Sequence, residues 1–176
     1  MKRLTLLVLA LSLFSSGCDE VLAPVAPTGL VTLVSQISGS QEVPPAAAPE
    51  AASAGSLSVT MTPSGGGAYV ASFTFQIGGL VKAGVLPAPL DSGSVIVAGH
   101  IHVGAAGVVG APVVPLPISQ SAPIVTPTGG VLLTISNVAV PSDVASAILA
   151  NPSGYYFNLH SALNPGGVVR GQLIRQ

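Results

Sequence analysis

Apolar and polar residues alternate with a period of two over most of the chain. Leu57, Val59 and Met61 alternate with Ser58, Thr60 and Thr62, which predicts a half-buried strand. After the turn "PSGGG", Tyr69, Ala71, Phe73, Phe75 and Ile77 share one face of a second strand. Two such strands around a glycine-rich turn predict a β-hairpin. From Leu30 the chain is apolar on both faces (Leu30 and Val34 on one, Val31 and Leu33 on the other), as a buried strand is. Ser94 to Val103 is another predicted strand, and Val131 to Asn137 alternates again. "GAAGVVGAPVVPL" reads as a glycine turn followed by a short strand whose prolines assign it to an edge. "QEVPPAAAPEAASAG" is a predicted loop, because its proline density suits neither a helix nor a central strand. Only "PSDVASAILAN" has a helical pattern, with Ser142 or Asp143 as the cap and Asn151-Pro152 as the stop.

The C-terminal stretches "GYYFNLH" and "VVRGQLI", joined by "SALNPGG", predict a second hairpin whose register can be argued. If His160 lies opposite Val168, Asn158 faces Arg170 and Tyr156 faces Gln172. Phe157 and Leu159 then fall beside Val169 and Leu173 on the other face. One register sorts apolar from polar residues on both strands, which is what pins a pairing. It yields a polar face carrying Asn158, His160, Arg170 and Gln172. Of the two adjacent tyrosines, Tyr155 and Tyr156, one is expected in the core and one at the surface.

These elements predict an all-β fold: an antiparallel sandwich or barrel of about seven or eight strands with one short helix. Composition agrees, with 49% hydrophobic and only 6% charged residues in 176, enough apolar side chain for one domain with a sizeable core.

The first residues read as a targeting segment. Lys2 and Arg3 supply a positive end, Leu4 to Phe14 an apolar run too short to span a bilayer, and Ser15-Ser16-Gly17 the small residues before a cut. Cys18, the one cysteine of the chain, follows at once. "LFSSGC" resembles the lipobox of bacterial lipoproteins, with Ser15 where leucine is usual. The expected organisation is a signal peptide over residues 1–17, a lipidated Cys18 opening a Pro/Ala-rich linker over 18–29, and one domain over 30–176. The destination is then the bacterial cell envelope, with the protein held to a membrane, on the periplasmic or surface side, by its lipid. Cleavage removes two of five basic residues and leaves three against six acidic ones, a net of −3. A chain so poor in Lys and Arg has no footprint for nucleic acid.

The candidate chemistry is the pair His100 and His102 in "VAGHIHVG". In an extended strand both point to one side, shared by Ala98 and Ile96, while Val97, Ile101 and Val103 take the other. Were His160 to lie on the same face, three imidazoles would suit zinc or copper, with Glu42 as a fourth ligand or as an acceptor for a ring N–H. The competing arrangement is a structural polar network of Glu42, Asn158, Arg170 and Gln172, in which Arg170 pairs with Glu42 and its charge disfavours a cation. No cofactor other than such a metal is implied. Three histidines cannot supply the copper and bridging-zinc ligands of superoxide dismutase, another β-sandwich with a His-x-His strand. Ser161 follows His160 directly, which does not place a base for nucleophilic attack. "HVGAAGVVG" lacks the Lys-Ser/Thr of a phosphate loop.

"SGSQEVPP", "GHIHVGAAGVVGAPVVPL" and "GYYFNLHSALNPGGVVRGQL" together resemble the CHRD domain, a family named for repeats in chordin and common in secreted bacterial proteins. Glu42 and Pro44 match its N-terminal motif, His100 and His102 its histidine pair, and Asn158, His160, Pro165, Gly166, Arg170, Gly171 and Gln172 its C-terminal motif. The resemblance implies an immunoglobulin-like β domain without established catalysis. The function expected is therefore a non-enzymatic binding module for a protein or matrix partner, with metal binding the alternative. On the anchor, Cys18→Ala is expected to release the protein from the membrane fraction; a variant that stays membrane-bound and uncut would refute lipidation at Cys18.

Overall fold

The computed structural model describes residues 29–87 and 91–176. The signal segment, Cys18 and all of the linker except Gly29 lie outside the described residues. The alternating stretches form β1 (Val31–Ser38), β2 (Ala54–Gly65), β3 (Ala68–Gly78), β4 (Ser94–Val103), β5 (Pro112–Pro115), β6 (Ile124–Thr126), β7 (Val131–Val140), β8 (Tyr155–Ser161), β9 (Val169–Gln172) and β10 (Ile174–Arg175). The helix is α1 (Ser142–Ala150).

The strands make one antiparallel sheet in the order β5-β4-β8-β9-β1-β2-β3-β7, with β6 added to β4 and β10 to β1. The sheet curls until its distant members meet. Phe157 of β8 packs against Phe73 and Phe75 of β3, with ring centroids 6.2 and 6.0 Å apart, although three strands separate β8 from β3. The expected all-β fold is therefore a nearly closed barrel of eight successive strands, and the two short strands β6 and β10 are additions that the alternation did not reveal. Inside lie Leu33, Leu57, Val59, Phe73, Phe75, Ile101, Phe157 and Leu159, each 2% exposed or less. Ala145, Ile148 and Leu149 bring the inner face of α1 into the same core.

Both hairpins form as predicted. β2 and β3 pair through Leu57↔Phe75 and Val59↔Phe73. β8 and β9 pair through Tyr156↔Gln172 and Asn158↔Arg170. Three details differ from expectation. First, β1 is buried on one face, through Val31, Leu33, Ser35 and Ile37, and only partly covered on the other. Second, the residue capping α1 is Pro141, with no side-chain cap, and the Ser146 hydroxyl donates to the Ser142 carbonyl within the first turns.

The third concerns β4. Ile96 pairs with Ser161 but Ala98 with His160, so β4 carries one extra residue against β8. Such a bulge exchanges the faces of everything beyond it. Ile96 and Ile101 are thus both in the core despite their odd separation. Ile96 does not share a side with His100. Gly99 also faces inward, where a β-carbon would meet Leu159 Cδ2 at 2.6 Å.

A strap between β1 and β2, residues 39–53, crosses the outside of the barrel and is held by Glu50. This glutamate is fully buried, and its carboxylate accepts from the hydroxyls of Ser94 and Ser161 and, at 2.8 Å, from the Asn164 amide. Asn164 Oδ1 in turn accepts from the Ala47 N–H at 2.8 Å. One buried carboxyl group thereby ties the strap to β4, to β8 and to the loop after β8. Hydrogen bonds to a buried charge contribute about 1.5–3 kcal/mol each, and their donors are costly to leave unpaired. Glu50→Ala is expected to lower the unfolding free energy by about 3 kcal/mol or more, and Glu50→Gln by less, as read by urea denaturation.

Candidate metal centre on the outer sheet face

The bulge turns His100 and His102 outward on β4, and the β4–β8 register sets His160 opposite Ala98, beside them. His160 therefore does share the face of the pair. One ligand nitrogen from each ring can be chosen so that all three lie within 4.8 Å of one another. His100 Nδ1 and His160 Nε2 are 3.3 Å apart and share a hydrogen bond, a separation close to the ~3.3–3.5 Å of two nitrogens bound at about 2.0 Å to one ion. The rings stand edge to face, His100 at 89° to His102 and 68° to His160.

Two loops fix the ring orientations. His102 Nδ1 lies 2.9 Å from the Gly110 carbonyl, and His160 Nδ1 lies 2.9 Å from the Pro165 carbonyl. A carbonyl only accepts, so both Nδ1 atoms carry the proton and both Nε2 atoms carry a lone pair. His102 Nε2 is buried and has no hydrogen-bond partner. Backbone carbonyls that hold the far ring nitrogen are what orient metal-ligating histidines.

Burial lowers the proton affinity of all three rings. His100 falls to about 4, through burial first and then the charges of His160 and His102. His102 and His160 are lowered mainly by burial, against the opposing bonds to Gly110 and Pro165. The cluster is neutral at neutral pH; the His160 Nε2 lone pair accepts from His100 Nδ1 at 3.3 Å, and the His102 Nε2 lone pair has no partner.

Arg170 occupies the same face, with Tyr156 between it and His102. Its guanidinium carbon lies 3.5 Å from the centroid of the Tyr156 ring, and Tyr156 stacks on His102 at 4.9 Å and 10°. Tyr156, 2% exposed, is the more buried of the two tyrosines and is the spacer between a cation and a candidate ligand. Arg170 Nη2 donates to the Ala105 and Val108 carbonyls at 2.9 and 2.8 Å, and Gln172 Nε2 to the Gly104 carbonyl at 3.0 Å. Together they hold down the 104–111 loop that carries Gly110.

The expected pairing of Arg170 with Glu42 is not made. Glu42 Oε2 accepts from Asn158 Nδ2 at 3.1 Å, while its Oε1 and Asn158 Oδ1 are buried without partners. Nor does Glu42 join the three histidines as a convergent ligand. Its carboxyl lies against Gly167, where a β-carbon would overlap it and where φ is +144°. A glycine at this position permits the approach. Burial pushes the Glu42 carboxyl up to about 7, against the pull of the Arg170 charge and the Asn158 hydrogen bond.

The CHRD domain family model matches residues 33–173. The chain belongs to the CHRD family. No curated protein and no solved structure matches it. The CHRD match runs from Leu33 in β1 to Leu173 just after β9, and so takes in the strap, all three histidines and the Arg170–Tyr156 stack.

Sequence reasoning had singled out His100, His102, His160, Glu42, Asn158, Arg170 and Gln172, and missed Glu50, Asn164 and Tyr156. Glu50 had a signal: an acid inside a Pro/Ala strap, with no Lys or Arg nearby, requires hydroxyl or amide donors once buried. The carbonyls of Gly110 and Pro165 had none, since every residue has one.

The raised proton affinity of Glu42 sets a pH dependence. Below its ordinary value of 4.5 the carboxyl is neutral in both states; between 4.5 and 7 the unfolded chain ionises while the folded one resists, so stability is lost as pH rises. Glu42→Gln stays neutral throughout. It is expected to gain about 1–3 kcal/mol on the native protein between pH 4.5 and pH 8, measured by urea denaturation at both. A difference that does not change with pH would mean that the carboxylate is solvated.

Proposed function

We propose that the protein is a non-enzymatic binding module of the cell envelope, carried on a lipid at Cys18, whose ligand is a zinc or copper ion held by His100, His102 and His160. The observation that carries the reading is the convergence of three imidazole nitrogens, with the His102 and His160 lone pairs directed by backbone carbonyls and the His102 one buried without a partner. An unpaired buried nitrogen costs stability unless something occupies it. CHRD domains are suggestive of interaction modules, and a catalytic reading finds no support at the one serine beside a histidine. The Ser161 hydroxyl is engaged by Glu50, not by His160.

The second reading is a protein or matrix partner. Val103, Val108 and Val109 stand 42%, 54% and 65% exposed on and beside the loop that flanks the histidines, an apolar rim for a partner. Under the metal reading, one equivalent of zinc or copper remains with the purified protein after dialysis. The ion raises the unfolding free energy by about 2.7 kcal/mol at a hundredfold excess over Kd. His102→Ala and His160→Ala abolish both effects. Sub-stoichiometric metal unaffected by His160→Ala would eliminate the site, and partner binding that survives a chelator would favour the second reading.

A further inference from the structure

We infer that the three-histidine centre is built for a monovalent, three-coordinate ion, cuprous copper, in preference to divalent zinc or cupric copper. The inference rests on the metal-binding reading above and adds the identity of the ion. Its first ground is the donor set. The convergent group consists of three neutral imidazoles and contains no carboxylate and no thiolate. A dication bound there keeps its full double charge in a partly buried site, a cost that falls steeply when the ion carries one charge. Glu42, the acid on this face, is turned to Asn158 and does not offset that charge as a ligand.

The second ground is Arg170. Tyr156 has the guanidinium on one face and His102 on the other, so a fixed positive charge stands directly behind one ligand. Arg170 is itself 2% exposed, its carbonyl partners Ala105 and Val108 carry no charge, and the acid that feels its charge, Glu42, is itself held near neutrality by burial. Repulsion between this cation and a bound ion scales with the ion's charge and is screened little in a buried setting. It weighs twice as heavily on zinc as on a cuprous ion.

The third ground is coordination number. Zinc sites complete a tetrahedron, with a carboxylate, a thiolate or water in the fourth position. Among the described residues the convergent group offers three nitrogens and no fourth protein ligand. A closed-shell cuprous ion is satisfied by three nitrogens and does not need a water to complete its shell.

The test uses the purified wild-type protein without oxygen. Cuprous ion is titrated against bicinchoninate, and zinc and cupric ion against chromophoric chelators of known affinity. The expected result is one cuprous ion per chain, bound at least about a hundredfold more tightly than zinc or cupric ion, with an X-ray absorption edge of three-nitrogen coordination. Tighter binding of zinc or cupric ion at one equivalent would overturn this inference and leave the metal-binding reading standing. Failure of all three ions to bind would overturn both.

Discussion

A polar sheet face covered by its own chain must satisfy its hydrogen bonds from that chain, and this requirement organises everything around His100, His102 and His160. The outer face of β4, β8 and β9 carries imidazoles, an amide, a guanidinium and a phenol, and the strap and two loops lie over it. Water is largely excluded, so backbone carbonyls take its place: Gly110 and Pro165 accept from imidazoles, and Ala105 and Val108 from the guanidinium. In each case the acceptor comes from a loop and the donor from a strand. The loops are thus ordered by the same bonds that orient the side chains beneath them. Three polar atoms escape this accounting, Glu42 Oε1, Asn158 Oδ1 and His102 Nε2, and all three belong to the covered face.

Two buried acids divide the work of the strap. Glu50 is saturated by hydroxyl and amide donors and serves as an anchor. Glu42 is undersatisfied and holds its proton near neutrality. Eight residues apart in one loop, they differ in the number of donors that the barrel offers them. The contrast leaves Glu42 as the acid of the strap whose proton affinity burial raises.

The fold was legible because each hairpin had to separate apolar from polar residues on two strands at once. Tyr156↔Gln172 and Asn158↔Arg170 follow from that condition alone. The candidate site was legible as a set of residue types and only partly as an arrangement. Alternation told which side of β4 carries His100 and His102, but it placed Ile96 there too, because a bulge leaves no mark in an apolar run. A salt bridge between Glu42 and Arg170 was the natural expectation from charge, yet a flat aromatic ring competed for the guanidinium and won. That contest depends on register and side-chain reach, which a list of residues does not contain.

The bulge in β4 has a consequence for the length of the chain. It makes the strand two half-strands of opposite phase, one keyed to the Glu50 anchor through Ser94, the other to the imidazoles. Substitutions along β4 act on one half at a time, but a change in length acts on the phase between them. Removing the extra residue, Val97, lets β4 pair with β8 in simple alternation and leaves Ser94 and the imidazoles on their present faces, whereas inserting one more puts the two halves out of step. For this strand, counting residues matters more than choosing them.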